Sequence, residues 1–346
     1  MAASAHTEGG DLARALLPSM ERLTWERHGE LALENARRNA TFLARGLSVA
    51  TLRDNPPGKG DSAIIVAAGP SVRRSDPIAR IKAAGYQGAI VATDSAIAYC
   101  LRNGVVPDLV VTLDPHAKRI VRWFGDPDLS QGDINADDYY RRQDMDPAFA
   151  DELRANREIL AALDRHGKSI RIALSTSASE AVVKRVLATG MEIYWWNPML
   201  DDPDPADSAT RQLYRLNRMP CVNAGGNVGT ACWMMAHAVL GKRRVALTGV
   251  DFSYYDGTPY SATQYYREAL DLVGEANLDR LFVRIYNPHL GTWFFTDPAY
   301  LCYREAFLEM AKDADCTTFN CTEGGILFGD GVTFAPLDHF LNQARA

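Results

Sequence analysis

Residues 63–71 read AIIVAAGPS, and this short stretch decides the fold. Six small or apolar residues without a charge are typical of a strand that is buried on both faces. Glycine and proline then end the strand in a tight turn, and a helical segment follows near residues 78–84. The stretch therefore predicts the first strand, turn and helix of a parallel α/β unit.

The same rhythm continues along the chain. Further apolar runs occupy residues 89–92, 109–113, 169–174, 193–196, 244–248 and 317–321. Helical patterns lie between them at residues 95–102, 147–165, 179–188, 231–240, 267–278 and 299–311. Continuous apolar strands that alternate with helices predict a Rossmann-like, doubly wound α/β fold with a mostly parallel sheet.

The ends of the chain and two internal segments depart from this rhythm. We expect residues 1–60 to form a helical N-terminal extension and linker, beginning with a disordered segment at residues 1–10. Residues 61–330 would form the Rossmann-like domain, and residues 331–346 a C-terminal tail helix. Two polar stretches within that domain, about residues 125–150 and 199–221, are predicted to be lid-like insertions.

Composition and charge exclude several classes of protein. The net charge of −6 over 346 residues gives no basic stripe, so we expect no nucleic-acid partner. The six cysteines show no zinc spacing, and several lie in apolar runs, which favours a reducing compartment. Neither a signal peptide nor a membrane span is indicated. We expect a cytoplasmic protein; the sequence indicates no oligomeric state.

Acidic residues end several of the predicted strands. Asp94, Asp114 and Asp251 each follow an apolar run, and Glu323 follows the last one. In open α/β sheets, ligands bind outside the carboxyl ends of the strands. A carboxylate there can bind ribose hydroxyls, hold Mg²⁺ or cap the next helix. Three aspartates at one edge favour binding, and we expect no tightly bound cofactor, with Mg²⁺ as a candidate.

Two glycine-bearing turns open predicted helices. Gly69-Pro70-Ser71 and Gly225-Gly226-Asn227 both combine glycine with a polar side chain, an arrangement that suits a phosphate. Neither turn is a dinucleotide fingerprint or a P-loop. The alternatives are a tight turn with Ser71 as a helix cap, and close packing with Asn227 as a cap. Two such turns in one sheet predict phosphate or nucleotide binding.

Tyrosine and histidine residues supply candidates for catalysis. Tyr254 and Tyr260 follow Asp251, and their hydroxyls could stabilise charge that develops on a departing phosphate. Half-buried aromatic packing is the alternative for both. His289 is the first candidate for a base and His116 the second, because histidine titrates near neutral pH.

Six strings occur in a characteristic order: IIVAAGPS (64–71), IVATDSAI (90–97), GVVPDLVVTLDP (104–115), NAGGNVGTA (223–231), VALTGVDFSY (245–254) and FNCTEGG (319–325). Together with the helix at residues 35–39, they resemble the catalytic domain of the motility-associated factor (Maf) flagellin glycosyltransferases. The same domain is found in the archaeal MptE-like 6-hydroxymethyl-dihydropterin diphosphokinases. The resemblance covers roughly residues 30–330. It implies a transferase that acts on a nucleotide-activated substrate, with a protein or glycan acceptor and a role in flagellin glycosylation.

A more distant similarity is to bacterial sialyltransferases that use CMP-sialic acid. It implies that Gly69, Pro70 and Ser71 bind the nucleotide with Gly225 and Gly226, and that Asp94 faces the donor. It also implies that Tyr254 (or Tyr255) and Tyr260 support the leaving phosphate. The chain departs from those enzymes at Ala68, where they have asparagine, and at His289, which lies outside their histidine motif.

Three functions follow from these patterns. The leading one is transfer of a sugar, such as a nonulosonic acid from a CMP donor, to an acceptor that the sequence does not identify. The first alternative is ATP-dependent diphosphorylation of a hydroxymethyl-pterin, with Asp94, Asp114 and Asp251 as magnesium ligands. The second alternative is a nucleotide-binding protein without catalysis.

Overall fold

The computed structural model describes residues 6–139, Arg142 and residues 151–344. The rest of the predicted insertion at residues 125–150 lies outside the described residues, as do residues 1–5 of the segment expected to be disordered. Strands in the described part are β1 (Thr7–Gly9), β2 (Leu47–Ser48), β3 (Ser62–Val66), β4 (Ala89–Thr93), β5 (Leu109–Thr112), β6 (Arg171–Ser175), β7 (Glu192–Pro198), β8 (Cys221–Val222), β9 (Arg244–Thr248), β10 (Tyr254–Tyr255), β11 (Val283–Asn287), β12 (Thr292–Thr296), β13 (Thr317–Asn320) and β14 (Val332–Phe334).

The helices alternate with these strands. Those of the described residues are α1 (Asp11–Leu16), α2 (Met20–Asn39), α3 (Val72–Ser75), α4 (Pro77–Ala83), α5 (Ile97–Arg102), α6 (Ala117–Trp123), α7 (Gln131–Ala136), α8 (Glu152–His166), α9 (Glu180–Thr189), α10 (Ala209–Asn217), α11 (Val228–Met234), α12 (Tyr266–Val273), α13 (Pro298–Lys312) and α14 (Leu337–Gln343). Within the described ranges, none of these helices has the length and apolar character needed to cross a membrane.

Ten strands form one sheet in which neighbouring strands run parallel, in the order β14-β13-β9-β3-β4-β5-β6-β7-β2, with β8 beside β7. The chain starts the sheet proper at β3, moves outward through β7, and returns with β9 to the other side of β3. The predicted doubly wound α/β fold is therefore confirmed. Its topological switch point lies between β3 and β9, which is where ligands bind in folds of this class.

Side chains of β3 show why both faces of the sheet are covered. Ile65 lies in a buried cluster with Trp233 of α11 on one face. Its neighbour Ile64 points to the other face, where it shares a cluster with Ile78 of α4 and Phe340 of α14. Because successive side chains of a strand alternate between faces, an uninterrupted apolar strand requires helices on both sides.

A second, antiparallel sheet of four strands has the order β1-β11-β12-β10. It corrects two expectations. Residues 7–9 were expected to be disordered but pair with β11, and residues 287–297 were expected to form a loop but include β12. In β11, Val283 and Ile285 are buried while Arg284 lies at the surface. This alternation is typical of a strand with one covered face, unlike the continuous apolar runs of the main sheet.

The main sheet extends across both predicted domain boundaries. β2 and the 3₁₀ turn after it bring Val49 and Leu52 into the core, although they precede residue 61. Beyond residue 330, β14 pairs with β13, and the predicted tail helix α14 packs into a buried cluster on one face of the sheet. The predicted insertion at residues 199–221 contains α10 and β8 rather than loop alone. The division into domains stays a prediction. Two strands of the main sheet, β2 and β14, lie outside the bounds predicted for the Rossmann-like domain.

Candidate functional site

The switch point brings the turn after β3 against the end of β9. The Ser71 hydroxyl donates a hydrogen bond to Asp251 Oδ2 (2.7 Å), and the Ser71 amide donates to Asp251 Oδ1 (3.2 Å). The Gly69 amide donates to the carbonyl oxygen of Gly249 (2.8 Å). Both Ser71 donors thus serve Asp251, and Ser71 does not cap α3 with its side chain.

Asp251 also explains the glycine at position 69. A Cβ atom at Gly69 would overlap the Asp251 carboxylate, which is 2% exposed. The close backbone approach predicted at this turn is therefore made to the protein's own carboxylate. Nucleotide binding by Gly69, Pro70 and Ser71 stays a prediction, and Ser71 would have to release Asp251 to take part.

Asp94 and Asp114 end the adjacent strands β4 and β5. Each carboxylate accepts a hydrogen bond within its own turn: Asp94 Oδ1 from the Ser95 amide (2.7 Å) and Asp114 Oδ1 from the His116 amide (2.7 Å). Burial raises the pKa of the Asp94 carboxyl to about 7, and the negative charge of Asp114 adds to this rise. The two carboxyls therefore share one region, as their positions at neighbouring strand ends predict.

Asp251 has a similar titration but a different setting. Burial raises the pKa of its carboxyl to about 7, while hydrogen bonds from Ser71 oppose the rise. Its carboxylate oxygens accept from Ser71 on the β3 side of the switch point. The three predicted aspartates thus separate into the Asp94–Asp114 pair and a structural partner of Ser71.

A group of phenols stands close to the Asp94–Asp114 pair. This tyrosine cluster consists of Tyr139, Tyr265, Tyr300 and Tyr303. Burial raises the pKa of Tyr303 to about 12, and the charges of Asp297 and Asp114 contribute. Burial likewise holds the pKa of Tyr139 above its usual range, with contributions from Asp114 and Asp94. The phenols of Tyr139 and Tyr303 therefore lie near enough to these carboxylates to interact with their charges.

Gln264 connects members of the tyrosine cluster. The Tyr300 hydroxyl donates to Gln264 Oε1 (2.5 Å), and Gln264 Nε2 donates to the Tyr139 oxygen (2.9 Å). The hydroxyls of Tyr265 and Tyr303 lie 3.4 Å apart. Sequence reasoning missed Tyr265, Tyr300 and Tyr303. The only local signal was the spacing of Tyr300 and Tyr303, which lie three residues apart and share a face of α13.

Tyr254 is buried, and Tyr260 is half-buried among aromatic neighbours. The Tyr254 hydroxyl donates to Asp297 Oδ2 (3.1 Å) and accepts from the Gln264 amide (3.0 Å), and its side chain is buried. The Tyr260 ring stacks on Phe282 with 4.1 Å between ring centroids. These contacts match the packing alternative, so a role for either hydroxyl in leaving-group stabilisation stays a prediction.

The second glycine-bearing turn packs against the tyrosine cluster. Gly226 has a φ of 79°, and a Cβ atom there would lie 2.7 Å from Cε1 of Tyr303. Asn227 Oδ1 accepts from the Thr230 amide (2.9 Å), which caps α11. Gly225 and Gly226 therefore let Tyr303 approach the start of this helix, and phosphate binding at the turn stays a prediction.

The remaining candidates hold parts of the fold together. His289 lies on the turn between β11 and β12, where its exposed ring stacks on Phe334 at 4.6 Å between centroids. Glu323 accepts from the Leu337 amide (2.8 Å) and pairs with Arg80 (2.9 Å), so it anchors α14. The His116 amide closes the Asp114 turn. Their roles in catalysis or binding stay predictions.

The N-terminal extension contributes to this edge of the sheet through α2. Asn35 Nδ2 donates to the carbonyl oxygens of Pro115 (3.1 Å) and Ser177 (3.0 Å), in the loops after β5 and β6. Asn39 Nδ2 donates to the carbonyl oxygens of Thr176 (2.9 Å) and Ala178 (2.6 Å). Asn35 thus ties α2 to the loop that carries Asp114, and both asparagines tie it to the adjacent loop after β6.

Comparison with protein families gives one match over part of this region. Residues 34–125 match the family model described as 6-hydroxymethylpterin diphosphokinase MptE-like. This part of the chain is therefore similar to the MptE-like family. The matched segment runs from the end of α2 through the turn at Gly69 to both members of the Asp94–Asp114 pair. It is well under half of the chain.

Comparison with solved structures shows the fold over most of the chain. The Maf glycosyltransferase from Magnetospirillum magneticum AMB-1 superposes with a TM-score of 0.52 at 16% sequence identity. The match covers 90% of this chain and 38% of that protein. No match was found among the curated proteins. The resemblance to the Maf and MptE-like family is thereby confirmed, and the similarity to sialyltransferases stays a prediction.

Proposed function

We propose that this chain is a transferase of the glycosyltransferase type, acting on a nucleotide-activated sugar. The observation that carries the proposal is that the Asp94–Asp114 pair lies near the tyrosine cluster at the carboxyl edge of the sheet. Carboxylates accept hydrogen bonds from sugar hydroxyls, and phenols both donate and accept. A dense set of such groups suits a polyhydroxylated substrate.

Asp94 is the group we assign to proton transfer. Its pKa, raised to about 7 by burial, allows it to hold or release a proton near neutral pH. With a CMP-linked nonulosonic acid as donor, the bond between the anomeric carbon and the phosphate oxygen breaks. A bond from the acceptor oxygen to that carbon forms, the acceptor proton goes to Asp94, and CMP leaves. Asp94 replaces His289 as the first candidate because His289 stacks on Phe334 at an outer turn.

The test measures the release of CMP from CMP-nonulosonic acids. Water accepts the sugar when no other acceptor is supplied. Asp94→Asn should slow release by about 100-fold or more, in the range of general acid–base catalysis. Tyr303→Phe should slow it less, because the ring remains and one hydroxyl is lost. The matched control is Tyr86→Phe, since the Tyr86 hydroxyl contacts Ser62 at the opposite end of β3. An Asp94→Asn enzyme at full rate would contradict the proposal.

Diphosphoryl transfer to a hydroxymethyl-pterin is the second candidate, supported by the MptE-like match at residues 34–125. A buried carboxylate beside aromatic rings can accept two N–H groups from an aminopyrimidinone edge, while the rings stack on the heterocycle. Asp94 beside the tyrosine cluster has this character. The assay is formation of AMP from ATP and 6-hydroxymethyl-dihydropterin, which a glycosyltransferase does not produce.

This second reaction normally requires Mg²⁺ between the phosphates. Asp114 would supply a hard carboxylate ligand of the kind Mg²⁺ accepts, with water and phosphate oxygens completing its shell, because Asp94 contacts the pterin in this reaction. Asp251, the third ligand expected from sequence, fits less well because its oxygens accept hydrogen bonds from Ser71. Among the described residues, no group of three or more histidine, cysteine or acidic side chains forms a site for a metal ion.

A further inference from the structure

The turn after β3 has fewer donors for an anion than its sequence suggests. The hydroxyl and amide of Ser71 donate to Asp251, and the Gly69 amide donates to Gly249. Pro70 has no N–H group. A phosphate that reaches this turn therefore needs a donor from elsewhere, because these groups already donate hydrogen bonds within the protein.

Arg74 lies one helical turn beyond Ser71 and points over the same edge. Its guanidinium carbon is 3.5 Å from the centroid of the Tyr255 ring, and its Nη1 donates to the Pro70 carbonyl oxygen (3.3 Å). The side chain is exposed to solvent. Stacking on a ring fixes the plane of the guanidinium, and its five N–H donors point outward along that plane. The contact with Pro70 uses one of them.

The charges around Arg74 differ from those around its neighbour Arg80. Arg80 pairs with the carboxylates of Glu323 (2.9 Å) and Asp338 (3.1 Å). In the part of the chain that the structure describes, no carboxylate forms such a pair with Arg74. Asp251 is near enough for the charge of Arg74 to lower the pKa of its carboxyl, but this carboxylate is buried and bound by Ser71. Arg74 therefore presents a positive charge to solvent at the switch point.

We propose that Arg74, held in place by Tyr255, binds the phosphoryl group of the substrate at this turn. A fixed guanidinium can donate two parallel hydrogen bonds to two oxygens of one phosphate, which lysine cannot do. The inference rests on the proposed function for the identity of the nucleotide. The anion contact itself concerns any phosphate or diphosphate that enters the switch point.

Equilibrium titration tests the assignment with three probes: CMP, ATP and inorganic pyrophosphate, with cytidine as the probe that lacks a phosphate. Arg74→Ala should weaken binding of the phosphate-bearing probes by about 10- to 100-fold, the range for hydrogen bonds to a charged group. Arg74→Lys should recover part of that loss. Cytidine should bind the wild type and both variants alike. Arg73→Ala is the matched control, an exposed arginine in the same helix, and should leave binding unchanged.

The outcomes separate this inference from the proposed function. Equal affinity of wild type and Arg74→Ala for every phosphate-bearing probe would overturn the inference while leaving a nucleotide-dependent transferase in place. Pyrophosphate binding that requires Arg74, without binding of CMP or ATP, would support the inference and contradict the proposed function. A wild-type protein that binds none of the three probes would overturn both.

Discussion

Burial of the Asp94 carboxyl lowers the free energy of unfolding near neutral pH, while the proposed reaction uses the pKa that burial raises. In an unfolded chain an aspartate loses its proton near pH 4, at a pKa of about 3.9. In the folded protein burial raises the pKa of Asp94 to about 7. Between these two values the folded state binds more protons than the unfolded state. The free energy of unfolding therefore falls as the pH rises from about 4 to about 7, and the fall ends above that range.

Asp94→Asn removes this ionisation and keeps an oxygen that can accept from the Ser95 amide. We expect the variant to gain stability over the wild type as the pH rises through this window, by at most about 1.4 kcal/mol per pKa unit. Urea unfolding at pH 4.5, 6 and 8 measures the gain. The same variant should lose activity, which is the behaviour of a group kept for function.

The control for this comparison is Asp128→Asn, at an exposed aspartate, which should change stability little at any of the three pH values. If Asp94→Asn were no more stable relative to the wild type at pH 8 than at pH 4.5, the buried ionisation would not be present.

Ser71 is the residue whose predicted role the structure questions most directly. Ser71→Ala removes the hydroxyl that donates to Asp251 Oδ2 at 2.7 Å, and the site is fully buried. We expect a loss of about 1–3 kcal/mol in unfolding free energy, because a buried carboxyl loses a donor. The pKa of Asp251 should also rise further, since the hydrogen bonds from Ser71 lower it.

Ser75→Ala provides the comparison. It removes a partly buried hydroxyl that donates a hydrogen bond to the Ser71 carbonyl oxygen. It should cost less than Ser71→Ala when both are measured by urea unfolding. If Ser71→Ala instead kept full stability and lost affinity for CMP, the sequence-based assignment of Ser71 to the phosphate would be the better one.

Residue type alone could not distinguish an aspartate of the candidate site from an aspartate that binds Ser71. Asp94, Asp114 and Asp251 look alike in sequence, since each follows an apolar strand. Only the pairing of β3 with β9 brings Asp251 against Ser71, 180 residues away. The tyrosine cluster was missed for the same reason, because its members come from separate parts of the chain and meet only through tertiary contacts.

At the scale of elements, α2 shows how a helix outside the central strands fixes the site. Asn39 is fully buried, and its amide group donates to two carbonyl oxygens in the loop after β6. Asn39→Ala would leave both carbonyl groups buried without this donor. We expect a loss of about 1–3 kcal/mol in unfolding free energy. Hydrogen exchange of the α2 amides should become faster, because this helix loses a tie to the sheet.

The variant Arg37→Ala is the control, because Arg37 is exposed on the same helix. It should cost less than about 0.5 kcal/mol. If Asn39→Ala and Arg37→Ala had equal effects, α2 would not depend on the asparagine contacts.

Elements with a strong local pattern were predicted well, and the others were not. The runs at residues 89–92, 109–113 and 244–248 match β4, β5 and β9 closely, because the central residues of a strand buried on both faces are apolar. β2, β8 and β10 contain two residues each, which is too short for any period to be recognised. They exist because a longer neighbouring strand offers a partner, which the local sequence does not encode.

At the scale of the molecule, the predicted boundary at residue 330 separates pieces that share one core. Phe340 is fully buried in α14, in the same cluster as Ile64 of β3 and Ile78 of α4. β14 also extends the sheet beside β13. A chain that ends at residue 330 would expose this face of the central strand, and we expect it to be insoluble or to melt well below the full chain.

Phe340→Ala tests the same contact without shortening the chain. Removal of a fully buried phenylalanine side chain should lower the free energy of unfolding by about 3–5 kcal/mol, since the ring is lost and a cavity replaces it. Asn342→Ala, at an exposed position of the same helix, should change it by less than about 0.5 kcal/mol. Urea unfolding measures both. If the chain of residues 1–330 unfolded cooperatively at the wild-type midpoint, and Phe340→Ala matched Asn342→Ala, then α14 would be an appendage. The Glu323 contacts at its first turn would then have no bearing on stability.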